Sequence, residues 1–383
     1  MSHEHSLQIA LQAIHLASIT TKTLLLQNTD KGSTAKDDDS PVTIADFASQ
    51  AILISILRHH FPSDQFVGEE SASVLRSDHI LAQRVWDLIT ASLQQQLLQP
   101  PLSSSSSSND EATATTTTLG LPTSLPEMLE AIDLGEKPPP HQSPTQRTWF
   151  LDPIDGTASY IQNSQYAVSI ALVTNGEQQV GVVGFPNLPY IPSTSSSPSS
   201  PIVEETTIDP TGFGTLLSAI KGQGTYKRQM THSGLSPPTK IQIQIQTPTP
   251  TTGNNNPYRF TDSMSSPYIE PRKHIAVRQR LGVADAPVLD LWAMQVKYAA
   301  LALGACSAMI RIPRDREFRP CTWDHAGGML VYEEAGGKIT DLYGRRFDYA
   351  SGRRLSKNLG LVAALPQVHE DLLRVVREVF EEE

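Results

Sequence analysis

The residues best suited to chemistry lie in WFLDPIDGT at 149–157, where two aspartates sit three positions apart after an apolar run. The apolar run favours a buried strand. Pro153 cannot donate to a sheet, and Gly156 permits a tight turn. We therefore predict that the strand stops at Asp152, and that Asp152 and Asp155 lie on a turn at its carboxyl end. Strand ends of this kind carry ligand sites in many α/β proteins.

Two carboxylates held close together repel each other, so at neutral pH one takes up a proton or a cation joins them. Hard cations such as Mg²⁺ prefer oxygen ligands, and Mg²⁺ takes few of these from protein, leaving the rest to water and phosphate. The motif is therefore compatible with metal-assisted phosphate chemistry. Asp, Pro and Gly also favour ordinary turns, so the motif alone leaves a plain turn open as the alternative.

The chain is long enough for two domains, with 383 residues interrupted by segments rich in Ser, Thr and Pro. We predict an amino-terminal α+β domain at 1–256 and a carboxyl-terminal α/β domain at 257–383. Such low-complexity sequence cannot bury enough apolar surface to offset its ordering entropy. We therefore predict insertions at about 99–146, 187–210 and 247–257, the first of them with a short helix around 126–134.

The balance of charge limits the classes of partner. The formal net charge of −10 argues against nucleic acid or an anionic membrane as the main partner. The chain has only two cysteines, no amino-terminal apolar signal and no run of 18 apolar residues. We expect an intracellular, cytoplasmic protein that acts on a small molecule, without nucleic acid or membrane as partner, and we expect a monomer.

Apolar spacing predicts the elements that would position a site. Residues 8–26 and 78–98 have the periodicity of amphipathic helices. Thr43 with Asp46 three positions later resembles a capping box that opens another helix. Further predictions are hairpin strands at 166–174 and 178–185 around Asn175-Gly176, a helix at 289–304, a strand at 307–312, a helix at 323–335 and a last helix at 368–382.

A short strand at 65–67 is predicted to run directly into GEES at 68–71. Adjacent residues of a strand point to opposite faces. Only one of Glu69 and Glu70 is therefore expected to enter a shared site.

Three motifs together resemble a known family. GEES at 68–71, DPIDGT at 152–157 and WDHAGG at 323–328 match in type, order and spacing the metal-dependent, lithium-sensitive phosphomonoesterases of the inositol monophosphatase superfamily. Within it, SPVTIAD at 40–46 and KYAAL at 297–301 most resemble the 3′(2′),5′-bisphosphate nucleotidases of fungi and plants. The resemblance implies a layered αβαβα sandwich of the inositol monophosphatase and fructose-1,6-bisphosphatase type, with the carboxyl-terminal part closing the active site.

The resemblance also implies a cofactor of two or three Mg²⁺ ions. It implies that Glu69 stands behind the metal ligands rather than among them. The implied ligands are the carboxylates of Glu70, Asp152, Asp155 and Asp324 and the backbone carbonyl of Ile154. Four carboxylates in one cleft would be unstable without cations.

The catalytic pair implied by the resemblance is Asp46 and Thr157. The threonine hydroxyl would pass a proton to the aspartate and take one from the attacking water, which strikes phosphorus in line. No covalent phosphoenzyme is needed. Li⁺ or Na⁺ would inhibit by competing for a weak metal position. Gly156 and Asp324 are expected to contact the phosphate, together with Thr157.

The implied substrate is adenosine 3′,5′-bisphosphate, cleaved at its 3′-phosphate to AMP, with its 5′-phosphosulfate analogue as a further substrate and sulfate assimilation as the setting. Lys297 and Arg311 supply cations for a second phosphate or a base, unless they are solvated surface charges. The chain departs from the family pattern at Met294, where the nucleotidases carry serine, and at Ala158-Ser159, where they carry Lys-Gly. The alternatives are an inositol phosphate or inositol polyphosphate 1-phosphatase and a non-catalytic sensor of phosphate metabolites.

Overall fold

The computed structural model describes residues 2–27, 31–35, 41–97, 119–136, 146–192, 203–243, 257–264 and 266–382. Its α-helices are α1 (His3–Leu26), α2 (Ile44–His60), α3 (Ser73–Ser77), α4 (His79–Leu97), α5 (Leu125–Glu136), α6 (Thr157–Ile161), α7 (Pro271–Arg280), α8 (Met294–Ala302), α9 (Trp323–Glu334) and α10 (Pro366–Glu381).

The strands of the same residues are β1 (Thr34–Ala35), β2 (Pro41–Val42), β3 (Gln65–Gly68), β4 (Arg147–Asp155), β5 (Ala167–Thr174), β6 (Glu177–Phe185), β7 (Thr215–Ile220), β8 (Gly224–Thr231), β9 (Gly234–Leu235), β10 (Thr239–Ile241), β11 (Phe260–Asp262), β12 (Leu289–Asp290), β13 (Ala308–Arg311), β14 (Lys338–Thr340) and β15 (Leu361–Ala364). Strands β1 and β2 form a separate antiparallel pair.

The remaining strands form two sheets with helices on every face. The larger sheet has the order β10-β8-β7-β6-β5-β4-β3, with β9 paired to β8, and the smaller has the order β12-β11-β13-β15-β14. Helices α1 and α2 cover one face of the larger sheet. Helices α8 and α9 fill the layer between the sheets, and α7 and α10 cover the far side of the smaller sheet. The predicted αβαβα sandwich is confirmed.

The predicted domain boundary, between 256 and 257, falls between Ile241, which ends the last strand of the larger sheet, and Phe260, which begins the first strand of the smaller one. The division is not complete, because α9 from the second part packs on β5 and β6 of the first. The predicted helix at 289–304 starts later, at Met294, since residues 289–290 pair with β11 as strand β12.

The short helix predicted inside the first insertion is present in the structure. Helix α5 lies inside 99–146 and is slightly longer than the helix predicted at 126–134. It buries Met128, Leu129 and Ile132, whose spacing of one helical turn supplies an apolar stripe. Residues 98–118, which hold the serine and threonine runs, lie outside the described residues, as do 137–145.

The other two predicted insertions lie partly outside the described residues, at 193–202 and 244–256. The segments on either side of 193–202 pack into the protein, because Asn187 and Val203 are buried. The hairpin predicted around Asn175-Gly176 is present, with φ values of 57° and 74° at the two turn residues, as a type I′ turn requires.

Helix α1 is long and apolar enough, by length and composition, to cross a membrane. In the fold, 78% of its most apolar 18-residue window is buried, mainly against α2 and β6. Core packing therefore accounts for its hydropathy.

The strand that carries the central motif runs further than predicted. Strand β4 continues through Pro153 to Asp155 instead of stopping at Asp152. Its register shifts on the way, since Asp152 pairs with Ser169 and Asp155 with Ala167, three residues against two. A β-bulge of this kind accommodates a proline, which has no N–H for the ladder. The extra residue also matters for the site, because residues three apart on a regular strand would face opposite sides of the sheet.

Candidate active site

The sequence motifs converge at one edge of the larger sheet. Strands β3 and β4 run parallel, with Gly68 opposite Leu151, so the GEES segment follows β3 at the edge where β4 brings Asp152. Carboxyl ends of parallel neighbours meet at one edge. The start of α2 supplies Asp46, and the start of α9 supplies Asp324.

Asp46 is held rigidly at the start of α2. Its Oδ2 accepts hydrogen bonds from the backbone N–H and the hydroxyl of Thr43, at 2.8 and 2.7 Å, which forms the predicted capping box. Its Oδ1 lies 3.1 Å from Thr157 Oγ1. The same hydroxyl lies 3.2 Å from the carbonyl of Ile154, so its single proton can be donated to either acceptor. The predicted catalytic pair is therefore in hydrogen-bond contact.

Thr157 is positioned by the close approach of the Gly156 backbone to Ala293. Gly156 adopts a left-handed conformation with φ 87° immediately before α6. A Cβ at this position would lie 2.8 Å from the Cβ of Ala293, which precedes α8. Glycine is therefore needed for two reasons, since it relieves both the backbone strain and the contact.

Asp155 joins the larger sheet to the layer between the sheets. Its carboxylate accepts the backbone N–H groups of Met294, at 3.1 Å, and Gln295, the first residues of α8. Burial raises its pKa to about 6, although these bonds and the nearby charge of Lys297 act in the opposite direction. The helix start thus favours the negative charge that burial disfavours. Sequence reasoning missed this contact because it joins residues 139 and 140 positions apart.

Asp324 lies in the first turn of α9. Desolvation raises its pKa well above the usual range, and the charges of Glu69 and Asp155 raise it further. The charges of Arg354 and Arg311 lower it. Asp324 and Asp155 therefore share one electrostatic environment, although they come from different layers of the fold.

Glu69 lies close enough to the aspartates for its charge to act on two of them. The charge of Glu69 raises the pKa of both Asp155 and Asp324. Glu70 is buried, and its backbone bonds the Gln50 amide through its N–H and carbonyl, at 2.9 and 2.7 Å. The assignment of Glu70 as a metal ligand stays a prediction, and Glu69 joins it as a candidate.

The donor types fit a hard divalent cation. Carboxylates and a backbone carbonyl are the oxygen ligands that Mg²⁺ takes from proteins. Burial raises the pKa of Asp155 and Asp324, and the charge of Glu69 raises both further, so a bound cation would stabilise their ionised forms. Within the described ranges, no group of three or more His, Cys, Asp or Glu side chains is arranged closely enough to hold a metal ion as it stands. The ligand set and the number of ions stay predictions.

Lys297 is not a solvated surface cation. It is fully buried, and its Nζ donates to the carbonyl of Trp292 at 2.9 Å. Burial and the charge of Arg311 lower its pKa to about 7, against the opposing effect of Asp155. Met294, at the position where the family pattern has serine, lies with Sδ 3.9 Å from the ammonium.

Arg311 ends β13 and borders the same region. Desolvation lowers its pKa, and the charges of Asp262, Asp324 and Asp155 oppose this effect. The side chain lines a cavity of about 590 Å³ that also reaches Asp324 and Met294. The two predicted cations therefore lie near the aspartates of the candidate site.

Comparison with known proteins identifies the family. The inositol monophosphatase family model matches residues 81–381. The chain belongs to the inositol monophosphatase family, as the three motifs indicate. Solved structures share the fold: the Thermotoga maritima IMPase has a TM-score of 0.54 at 16% identity, covering 99% of this chain and 98% of that one. The suhB extragenic suppressor protein of Bartonella henselae has a TM-score of 0.55 at 15% identity, covering 97% and 98%.

Curated relatives resemble the chain over almost its whole length. A protein of Emericella nidulans named 3′(2′),5′-bisphosphate nucleotidase is 34% identical over 99% of both chains. The Schizosaccharomyces pombe protein of the same name is 31% identical over 99% of this chain and 97% of its own. The 3′,5′-bisphosphate nucleotidase 2 of Arabidopsis thaliana is 31% identical over 100% and 99%. The resemblance predicted from the motifs, to this branch of the family, is confirmed.

Proposed function

We propose that this protein is a Mg²⁺-dependent phosphomonoesterase, sensitive to Li⁺ and Na⁺, that converts adenosine 3′,5′-bisphosphate to AMP and phosphate. The full-length similarity to proteins named 3′(2′),5′-bisphosphate nucleotidase supports the substrate. The observation that carries the reaction is the 3.1 Å contact between Thr157 Oγ1 and Asp46 Oδ1, beside the buried aspartates of β4.

The metal would be held by oxygen atoms from three parts of the chain. The candidates are Asp152, Asp155, the Ile154 carbonyl, Asp324 and one of the two glutamates, Glu69 or Glu70, for two or three ions. Bound Mg²⁺ supplies a lowered pKa for the attacking water and neutralises charge on the phosphate.

The chain's own residues would move the proton. Asp46 Oδ1 is the acceptor, and its orientation is fixed because Thr43 occupies Oδ2 with two hydrogen bonds. Thr157 passes its hydroxyl proton to Asp46 and takes the proton released by the water. The first turn of α9 directs backbone N–H groups towards the phosphate. None of these steps requires a covalent phosphoenzyme.

A second phosphate on the substrate accounts for the two cations. Burying Lys297 costs free energy unless anionic groups stabilise its charge, and the guanidinium of Arg311 donates no hydrogen bond to the described residues. A bisphosphate would supply acceptors for Arg311 and a negative charge near Lys297, which already donates to the carbonyl of Trp292. The second candidate, an inositol polyphosphate 1-phosphatase, is favoured by Met294, which offers no hydroxyl at this position.

Phosphate release separates these candidates. The substrates are adenosine 3′,5′-bisphosphate, inositol 1,4-bisphosphate and inositol 1-phosphate, each with Mg²⁺ and with or without Li⁺, on the wild type and on Asp152→Asn. We expect Li⁺-sensitive release from the nucleotide and its loss in the variant. Preference for an inositol substrate would keep the mechanism and overturn the nucleotide. Binding without turnover of any substrate would favour a sensor.

A further inference from the structure

The cavity beside Asp324 is much larger than a phosphate requires. Its volume is about 590 Å³, within the range of pockets that enclose a whole small molecule. Arg311, Met294 and Asp324 line it, and so do the aromatic side chains of Tyr268 and Phe318. The part of the substrate beyond the scissile phosphate has to occupy this space.

The two aromatic rings of the cavity form a flat, stacked pair. The ring centroids of Tyr268 and Phe318 are 4.8 Å apart, and their planes are inclined by 18°. Phe318 is partly buried, whereas Tyr268 is 52% exposed. A large exposed aromatic face is a poor solvent-facing group but a good surface for a planar ligand.

The backbone holds this pair in place. The segment of Tyr268 is bridged to the segment that precedes Phe318, through the pairing of Ile269 with Pro313. Arg314 N–H donates to the carbonyl of Tyr268 at 3.1 Å. The aromatic surface is therefore preorganised, so little ordering entropy is lost when a ligand binds to it.

The lining of the cavity thus combines two kinds of group, the guanidinium of Arg311 and the stacked aromatic pair of Tyr268 and Phe318. An inositol phosphate offers anionic groups but no planar π-system. A nucleotide offers both, and every base can stack on an aromatic side chain. Met294 adds a flexible thioether wall that adapts to a flat ring.

We propose that Tyr268 and Phe318 form the stacking surface for the purine base of the substrate, and that this pair makes the enzyme select a nucleotide over an inositol phosphate. The inference rests on the proposed function, because it assumes that the substrate in this cavity is a nucleoside bisphosphate. Selection here needs no hydroxyl donor at Met294, which explains how the serine of the family pattern can be absent.

The test compares Tyr268→Ala and Tyr268→Phe with wild type, using adenosine 3′,5′-bisphosphate and inositol 1,4-bisphosphate as substrates. Loss of one stacked base costs about 1–3 kcal/mol, so we expect kcat/KM for the nucleotide to fall about 5- to 150-fold in the alanine variant. The fall in kcat/KM should come from a higher KM, and Tyr268→Phe should keep kcat/KM near the wild-type value. The kcat/KM for inositol 1,4-bisphosphate should change by less than about twofold, since this substrate has no base to stack.

A matched control is Tyr343→Ala, because Tyr343 is similarly exposed, at 49%, and does not line the cavity. AMP binding, measured by calorimetry, gives a second readout that does not depend on turnover. It should weaken in Tyr268→Ala and Phe318→Ala but not in the control.

The outcomes separate the inference from the proposed function. Equal losses on both substrates, or no loss on the nucleotide, would overturn the stacking surface while leaving the nucleotidase intact. Both the stacking surface and the proposed function would be overturned if the wild-type protein turned over the inositol substrate but neither hydrolysed the nucleotide nor bound AMP.

Discussion

Arg353 of the carboxyl-terminal part donates a hydrogen bond, at 2.8 Å, to the carbonyl of Gly68, which ends β3 in the amino-terminal part. The same Nη1 lies 2.9 Å from the carbonyl of Gly135 at the end of α5. Its guanidinium also lies over the ring of Trp323, 4.6 Å from the centroid. One side chain therefore connects the segment that leads into Glu69 with the residue that precedes Asp324.

Replacing Arg353 with alanine should loosen both halves of the site together. Hydrogen bonds to a charged group contribute about 1.5–3 kcal/mol each and cation–π contacts about 0.5–2 kcal/mol. Because these terms overlap, we expect the free energy of unfolding to fall by about 2–4 kcal/mol. Urea unfolding measures this change. Arg374→Ala is the control, as its ion pairs are exposed and should contribute less than about 1 kcal/mol. Equal effects of the two variants would argue against this connecting role.

Thr157→Val should abolish proton transfer with little effect on folding. The substitution keeps the volume and removes the hydroxyl that contacts Asp46 and Ile154. General acid–base catalysis contributes about 10²–10⁴-fold, so kcat should fall by at least about 100-fold while substrate KM changes little. Steady-state kinetics of phosphate release give both values. Thr157→Ser retains the hydroxyl and should keep most of the activity; a valine variant with near-normal kcat would exclude this proton path.

The choice between Glu69 and Glu70 can be decided by metal binding. The charge of Glu69 acts on Asp155 and Asp324, so Glu69→Gln should weaken Mg²⁺ affinity by about tenfold or more. Glu70→Gln removes the carboxylate that the family resemblance implies as a ligand, so the two variants are compared directly and the larger loss of affinity identifies the ligand. Calorimetric titration of the metal-free protein with Mg²⁺ measures the affinity independently of catalysis. The reverse ranking would restore Glu70 as the ligand.

Glu69 and Glu70 illustrate which features of this fold a sequence can predict and which it cannot. Motif types and apolar spacing were enough for the layers, the hairpin turn and the contact of Asp46 with Thr157, because each depends on local rules or on a family pattern. Which of the two adjacent glutamates binds metal is not given by the motif, because it depends on the path of the chain after β3, where the Gln50 amide bonds the Glu70 backbone. The bulge at Pro153 and the capping of α8 by Asp155 likewise arise only when distant segments meet.

Acidification should stabilise the metal-free protein through Asp155. Its pKa in the folded state is about 6, above the ordinary value of 3.8, so between these values the folded state binds more protons than the unfolded state. The stability that Asp155 contributes is therefore largest at low pH and is lost as pH rises through about 6. We expect the thermal midpoint in EDTA to rise from pH 7 to pH 5 by more in wild type than in Asp155→Asn.

Added Mg²⁺ should act in the opposite direction on the same group. By neutralising the carboxylates it should raise the midpoint most at pH 7, where they are ionised, and least at pH 5. Midpoints that respond equally to Mg²⁺ at both pH values would contradict this linkage.

The close approach of Gly156 to α8 predicts that replacing this glycine lowers both stability and kcat. In Gly156→Ala the new Cβ would have to lie 2.8 Å from the Cβ of Ala293, at φ 87°. Both the strain and the displaced helix start cost free energy, of the order of 1–3 kcal/mol for the backbone alone. Gly222→Ala is the matched control, because its φ is 80° but no atom lies within 4 Å of the added Cβ. We expect both variants to lose stability in urea unfolding and only Gly156→Ala to lose kcat as well, because only there does the shift move Asp155 and Thr157. Equal kinetics in the two variants would mean that α8 can move without disturbing the catalytic residues.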